Sequence, residues 1–109
     1  MSYEQNPYYH PEAMNLETIG EIEFSDGDYN FDTRVFWKEL STNKVYTARD
    51  SGCSCPTPFE DYETIDSLTL VRDSDFQMYV DEYRKEIHKY SVTKQDEAQD
   101  LIIKVFRMV

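Results

Sequence analysis

Tyr29-Asn30-Phe31-Asp32-Thr33-Arg34-Val35-Phe36-Trp37-Lys38-Glu39-Leu40 carries the clearest alternation in the chain. Its odd positions Tyr29, Phe31, Thr33, Val35 and Trp37 are aromatic or β-branched, whereas Asn30, Asp32, Arg34 and Lys38 are polar. Successive side chains of a strand point to opposite faces of a sheet, so alternation with period 2 predicts a half-buried strand. Between Tyr29 and Lys38, Phe36 alone breaks the pattern. The odd face is expected to be the buried one.

Leu16 to Phe24 reads as a preceding strand with Thr18, Gly20, Ile22 and Phe24 on one side. Asp26-Gly27 follows, a pair that suits a two-residue hairpin because both central residues must tolerate positive φ. Ser41-Thr42-Asn43 makes the next turn, and Lys44 to Ala48 a third strand. Strands joined in sequence by short turns imply an antiparallel meander, here of three to four strands. In residues 49–63, Gly52, Pro56 and Pro58 are expected to stop regular structure. Thr64 to Val71 fits either a short strand or a turn of helix, through Ile65, Leu68 and Leu70.

The remaining third is helical in period. Phe76, Tyr79, Val80, Tyr83, Ile87 and Tyr90 fall at steps of three and four, which places them on one face of a helix over residues 74–90. Asp73 or Ser74 serves as its cap, and Asp81 with Lys85 offers an i,i+4 pair. Thr93 with Asp96 reads as a capping box for a second helix over 93–108, whose stripe is Ala98, Leu101, Ile102, Val105, Phe106 and Val109. Each stripe residue contributes roughly 1.5–3 kcal/mol when buried, so neither helix can leave its face in water. The expected architecture is α+β, the meander in one layer and the two C-terminal helices in the other. Its expected core is Phe31, Val35, Trp37, Phe76, Val80, Leu101, Ile102 and Val105. An alternative docks the last helix on a second copy of the chain, making a homodimer.

Residues 1–15 are polar and without period, with Pro7 and Pro11, and read as a flexible tail or one laid over the domain; residues 16–109 form the single domain. The string Asn6-Pro7-Tyr8-Tyr9 resembles a recognition peptide, but four residues are too few to carry weight. The net charge of −11 is unevenly placed. Residues 1–30 hold seven acids and no Lys or Arg, and residues 61–80 five acids against Arg72; 31–60 and 81–109 are each balanced. Such a field repels nucleic acid and anionic membrane and favours a partner with a basic surface. No apolar run approaches the roughly 18 residues of a membrane span, and no leader is visible. The expected setting is a reducing cytoplasm.

Generic reading ends at Asp50-Ser51-Gly52-Cys53-Ser54-Cys55-Pro56-Thr57-Pro58-Phe59-Glu60-Asp61-Tyr62. This string resembles one shared by small proteins of unknown function encoded by bacteriophages of actinobacteria, in which aspartate-serine-glycine-cysteine-serine-cysteine-proline precedes proline, an aromatic and glutamate. Asp50 through Pro56, Pro58, Phe59 and Glu60 match it, and Leu16, Gly20, Glu21, Tyr29, Phe31, Asp32, Trp37 and Tyr46 extend the likeness upstream. The helices lie outside it. The resemblance implies an origin, a phage accessory protein made in the cytoplasm of a bacterial host, and no activity.

Cys53 and Cys55 project to one side of an extended backbone and could chelate a soft metal. A structural zinc takes four ligands, and only His10 and His88 remain as the usual partners, so no zinc and no cofactor is expected. The thiols lack the spacing and the basic neighbours of a redox pair, and whether they are free, bridged or metal-bound stays open. The plainer reading makes Gly52, Cys53, Cys55, Pro56 and Pro58 a rigid structural loop with Phe59 as its anchor. Asp26, Asp28, Asn30 and Asp32 begin like a calcium loop, but Phe31 and Trp37 stand where Gly and a carboxylate are required. No phosphate loop, zinc-protease motif or nucleophile elbow is present.

The expected function is therefore non-enzymatic: an accessory factor that binds a host or phage protein. The expected contact residues are Phe59, Glu60, Asp61, Tyr62 and Glu63. A Pro-stiffened loop loses little entropy on binding, and an aromatic beside carboxylates suits a basic rim on the partner. The competing explanation for Phe59 is that it pins the loop to its own core. The runner-up function is an acidic mimic of nucleic acid that blocks a DNA- or RNA-binding defence enzyme. A metal or thiol enzyme at Cys53 and Cys55 ranks last.

Overall fold

A meander needs each strand to find its partner in the next, and the chain does so in order. A computed structural model describes residues 6–53 and 58–109. Strands β1 (Leu16–Glu23), β2 (Asn30–Glu39), β3 (Val45–Cys53) and β4 (Thr69–Leu70) form one antiparallel sheet in the order β1-β2-β3-β4. Helices α1 (Phe76–Glu86) and α2 (Gln95–Phe106) follow, and short 3-10 turns stand at Pro11–Met14, Ile65–Ser67 and Asp73–Asp75. The fold is α+β, as the periodicity predicts.

Local chemistry moves several boundaries. The loop between β1 and β2 spans residues 24–29 and is no two-residue hairpin, although Gly27 takes φ 79° as foreseen. The reason is Glu23, whose carboxylate accepts from the Ser25 N–H (3.1 Å), the Ser25 hydroxyl (2.6 Å), the Asp32 N–H (2.7 Å) and the Thr33 hydroxyl. These bonds gather the chain into a wider loop before β2 can start. β3 does not end at Ala48 but continues through Gly52 and Cys53, because the first half of β2 offers it a ladder down to the Asn30–Cys53 pair. The ambiguous Thr64–Val71 holds both alternatives, one 3-10 turn and then a two-residue strand on Tyr46 and Thr47.

The sheet is covered on both faces, which the two-layer expectation did not include. The helix side buries Ile22, Phe24, Phe36, Val45 and Val71 against Tyr79, Val80, Tyr83, Ile87, Ala98, Ile102 and Val105. The opposite side buries Leu16, Val35, Trp37 and Ala48 under Phe59 and Leu68. Trp37 is fully buried, but away from the helices; Phe36, the residue that broke the alternation, is the one that meets α1. In β1 the register slips between Thr18 and Gly20, so Thr18 pairs with Trp37 on one face while Gly20 and Ile22 lie on the other. The single-face reading of Thr18 with Gly20, Ile22 and Phe24 fails at that bulge.

Val80, Ile102 and Val105 are buried as expected, but Phe76 is exposed and Phe31 and Leu101 are half-buried. Phe76 opens α1 at its solvent end, where it meets Phe106 edge to face at 5.3 Å. α1 stops at Glu86, so Ile87 packs from an extended segment and Tyr90 points away. The box at the start of α2 joins the Lys94 N–H to the Glu97 carboxylate at 3.0 Å rather than Thr93 to Asp96. Thr93 is used instead by β1, its hydroxyl accepting from the Glu23 N–H at 2.8 Å. Asp81 accepts from Gln77 at 2.8 Å.

Candidate functional site: the acidic face

The face away from the helices is built by two segments distant in sequence. Residues 6–15 are laid over the domain, with Asn6 and Pro7 buried. The Asn6 side chain closes a local turn by accepting from the Tyr8 N–H at 2.8 Å and donates to the Pro58 carbonyl at 2.7 Å. The Pro7 carbonyl accepts from the Trp37 indole at 3.1 Å. A buried indole N–H and a buried amide both need partners, so this short strap is held by polar bonds that water cannot supply there. Asn6 and Pro7 are thus spent inside the molecule, while Tyr8 is half-buried.

The loop from Pro58 is organised around Phe59. Its backbone takes φ 61°, its N–H donates to the Asp50 carboxylate at 2.8 Å, and its carbonyl accepts from the Tyr62 N–H at 3.1 Å. The ring lies between Tyr8, stacked at 5.5 Å, Trp37, edge-on at 5.9 Å, and Tyr62 at 5.5 Å. Phe59 has no exposed surface. It is therefore withdrawn from the expected contact residues: burial makes it the anchor and leaves nothing for a partner to touch. Tyr62 is half-buried, with its hydroxyl donating to the Arg49 carbonyl at 3.3 Å, while Glu60, Asp61 and Glu63 are exposed. Gly52 pairs with Phe31 and Cys53 with Asn30 at the end of β3, where Cys53 is exposed. Cys55 and Pro56 lie outside the described residues, and so does any pairing between the cysteines. Among the described residues no group of three or more His, Cys, Asp or Glu side chains is placed to hold a metal ion.

Strand alternation sorts the charges. Arg34, Lys38 and Arg49 stand at the register positions of Phe36 and Thr47, on the helix side. There the Arg34 guanidinium forks onto Glu82, while Arg49 holds Asp32 at 2.7 and 2.8 Å and reaches Glu82 at 3.4 Å. Glu21, Asp50 and Glu39 stand on the other face with Val35 and Trp37. The segments that cover that face, 6–15 and 58–71, contain Glu12, Glu60, Asp61, Glu63 and Asp66 and no Lys or Arg. One side of the sheet is therefore acidic, and its two arginines are paired with carboxylates on the other. The Tyr8 hydroxyl donates to Glu21 at 3.1 Å, and burial, with that carboxylate beside it, pushes the Tyr8 pKa up to about 12.

Sequence reasoning found the exposed acids and the anchor and offered the overlaid strap as one of two readings of residues 1–15, but missed the bonds that hold it and the arginine–carboxylate network. The polar Asn30-Asp32-Arg34 face reads as solvated, and only α1 arriving above it turns Arg34 into a half-buried partner of Glu82. No helix among the described residues is long and apolar enough to cross a membrane. A family model described as a domain of unknown function (DUF7574) matches residues 5–109. No curated protein and no solved structure matches the chain.

Proposed function

The chain belongs to that family of unknown function, and we propose that it is a non-enzymatic binding domain whose partner is a protein with a basic surface. The observation that carries this reading is the charge sorting: an acidic face free of Lys and Arg across both of its covering segments. Unneutralised carboxylates on a rigid base speed encounter with a basic partner and fix its orientation. Glu60, Asp61 and Glu63 are the contact residues, with Tyr62 and Tyr8 as the aromatic surface between them. The Asp50–Glu60 string supports a bacteriophage origin and action in the host cytoplasm on a host or phage protein.

The same face supports a narrower second reading, in which the partner's basic surface is its nucleic-acid site and the protein acts as a mimic. The test is capture of a partner from bacterial host lysate at low and moderate salt, using wild type and the variant Glu60→Gln, Asp61→Asn, Glu63→Gln. Exposed charges contribute little to stability, so this variant keeps its fold. Binding that weakens with salt and with the variant supports the contact surface, and competition by DNA or RNA selects the mimic. A partner retained unchanged by the variant at low salt overturns it.

A further inference from the structure

The opposite end of β2 from the Ser41–Asn43 turn carries a second surface. There the loop of residues 24–29 is clamped to the linker between α1 and α2. The Val92 N–H donates to the Ser25 carbonyl at 2.8 Å, the Thr93 N–H to the Glu23 carbonyl at 3.1 Å, and the Ser91 hydroxyl to the Phe24 carbonyl at 2.6 Å. The Asp28 N–H and the Gly27 N–H are held by the Asp26 carboxylate (3.0 Å) and the Ser25 hydroxyl (3.1 Å). A Cβ at Gly27 would lie 2.8 Å from the Val92 side chain, at a φ of +79°, so glycine is what lets the two segments touch.

This rigid tip presents apolar groups to water. Tyr29 is 83% exposed, Tyr90 67% and Val92 54%, and none of them belongs to either core. Single exposed apolar side chains are ordinary; here three stand on two segments whose backbones are hydrogen-bonded to each other. Asp26, Gly27, Asp28 and Tyr90 line a shallow cleft of about 500 Å³. Of the neighbouring groups, Lys89 lies with its ammonium 5.5 Å over the Tyr90 ring and His88 meets that ring at 6.4 Å. The ring face therefore already holds a cation, one carried on a flexible, exposed side chain.

The geometry points to a docking surface for a basic, apolar-flanked segment of another protein, with an arginine or lysine side chain seated between Tyr90 and the carboxylates of Asp26 and Asp28. A cation over an aromatic face beside two carboxylates is held by both, and Tyr29 and Val92 supply apolar contact for its flanks. The clamped backbone loses little freedom on binding. The inference rests on the reading of the chain as a binding protein but uses none of the residues of the acidic face.

The test is an NMR titration of the full chain with a blocked heptapeptide alternating arginine and leucine, beside its citrulline and glutamate analogues. The arginine peptide is expected to shift the amides of residues 25–29 and 88–93, and the two analogues are not. Tyr29→Ala with Tyr90→Ala, both exposed and so neutral for folding, is expected to weaken binding roughly fivefold or more. The Glu60, Asp61, Glu63 variant is expected to leave this binding unchanged, which separates failure here from failure of the acidic face. Shifts centred on residues 58–66, equal binding of the citrulline peptide, or no loss in the double variant would overturn the proposal. So would a dimer in sedimentation that the double variant abolishes, since the patch would then serve a second copy.

Discussion

The rings of Phe59 and Trp37 meet edge to face, their centroids 5.9 Å apart and their planes at 86°. The geometry is the one in which the positive edge of one ring faces the negative face of the other. It ties a loop after β3 to the middle of β2 and makes a second core on the face the helices leave open. The acidic residues that follow Phe59 are thus displayed from a fixed base.

Phe59→Ala should cost about 3–5 kcal/mol, because it empties a fully buried ring site walled by Tyr8, Trp37 and Tyr62. Phe59→Leu, which keeps most of the apolar volume, should cost less. Denaturant unfolding measures both, and a loss near zero for the alanine variant would show that the loop is not packed as described.

Arg34 and Glu82 form a partly buried pair that bridges β2 and α1, and Arg49 shares the Glu82 carboxylate. Glu82→Gln should destabilise by about 1–3 kcal/mol, since it leaves two guanidinium groups short of a partner. Arg34→Met combined with Glu82→Leu should recover much of that loss, as no unpaired charge remains between them. A double-mutant cycle that shows no coupling would rule the bridge out as an energetic contact.

Gly20 faces α2, and a Cβ there would stand 2.6 Å from Leu101 Cδ1. Gly20→Ala should destabilise by about 1 kcal/mol as Leu101 is pushed from its rotamer. In a Leu101→Ala background the same change should become neutral or favourable, because a strand gains from alanine over glycine once the space is clear. Equal effects in both backgrounds would dissociate the glycine from the helix.

Alkaline pH should unfold the protein through its tyrosines. Tyr8 is pushed up to about 12 by burial and by Glu21, and burial also raises Tyr46, Tyr62 and Tyr79. A folded pKa above the unfolded value near 10 means that the native state keeps protons the unfolded chain has lost. The stabilisation is complete below pH about 10 and disappears as pH rises through the folded values. Unfolding free energy should therefore fall above that pH, and Tyr8→Phe should flatten the fall. A stability unchanged across that range would contradict the burial of these rings.

How far the sequence reaches can be seen in β2. Its alternation declares a strand with two unlike faces, and the steps of three and four in Tyr79, Val80 and Tyr83 declare a helix with one apolar side. Period and turn residues are local, so strand order, the two helices and the α+β class follow from the chain alone. Which element covers which face is not local. Trp37 was bound for a core by its hydrophobicity, but the helices took Phe36 and the strap with Phe59 took Trp37, because both faces of this sheet carry apolar side chains and the two helices cover only one of them. The bulge after Thr18, the internal use of Asn6 and Pro7, and the placing of Arg34 and Arg49 under α1 depend on partners 30 or more residues away for the strap and 33 to 48 for the arginines. Alternation in the sequence put Arg34 and Arg49 on the face opposite Trp37; tertiary packing decided which acids meet them, by laying α1 with Glu82 over that face.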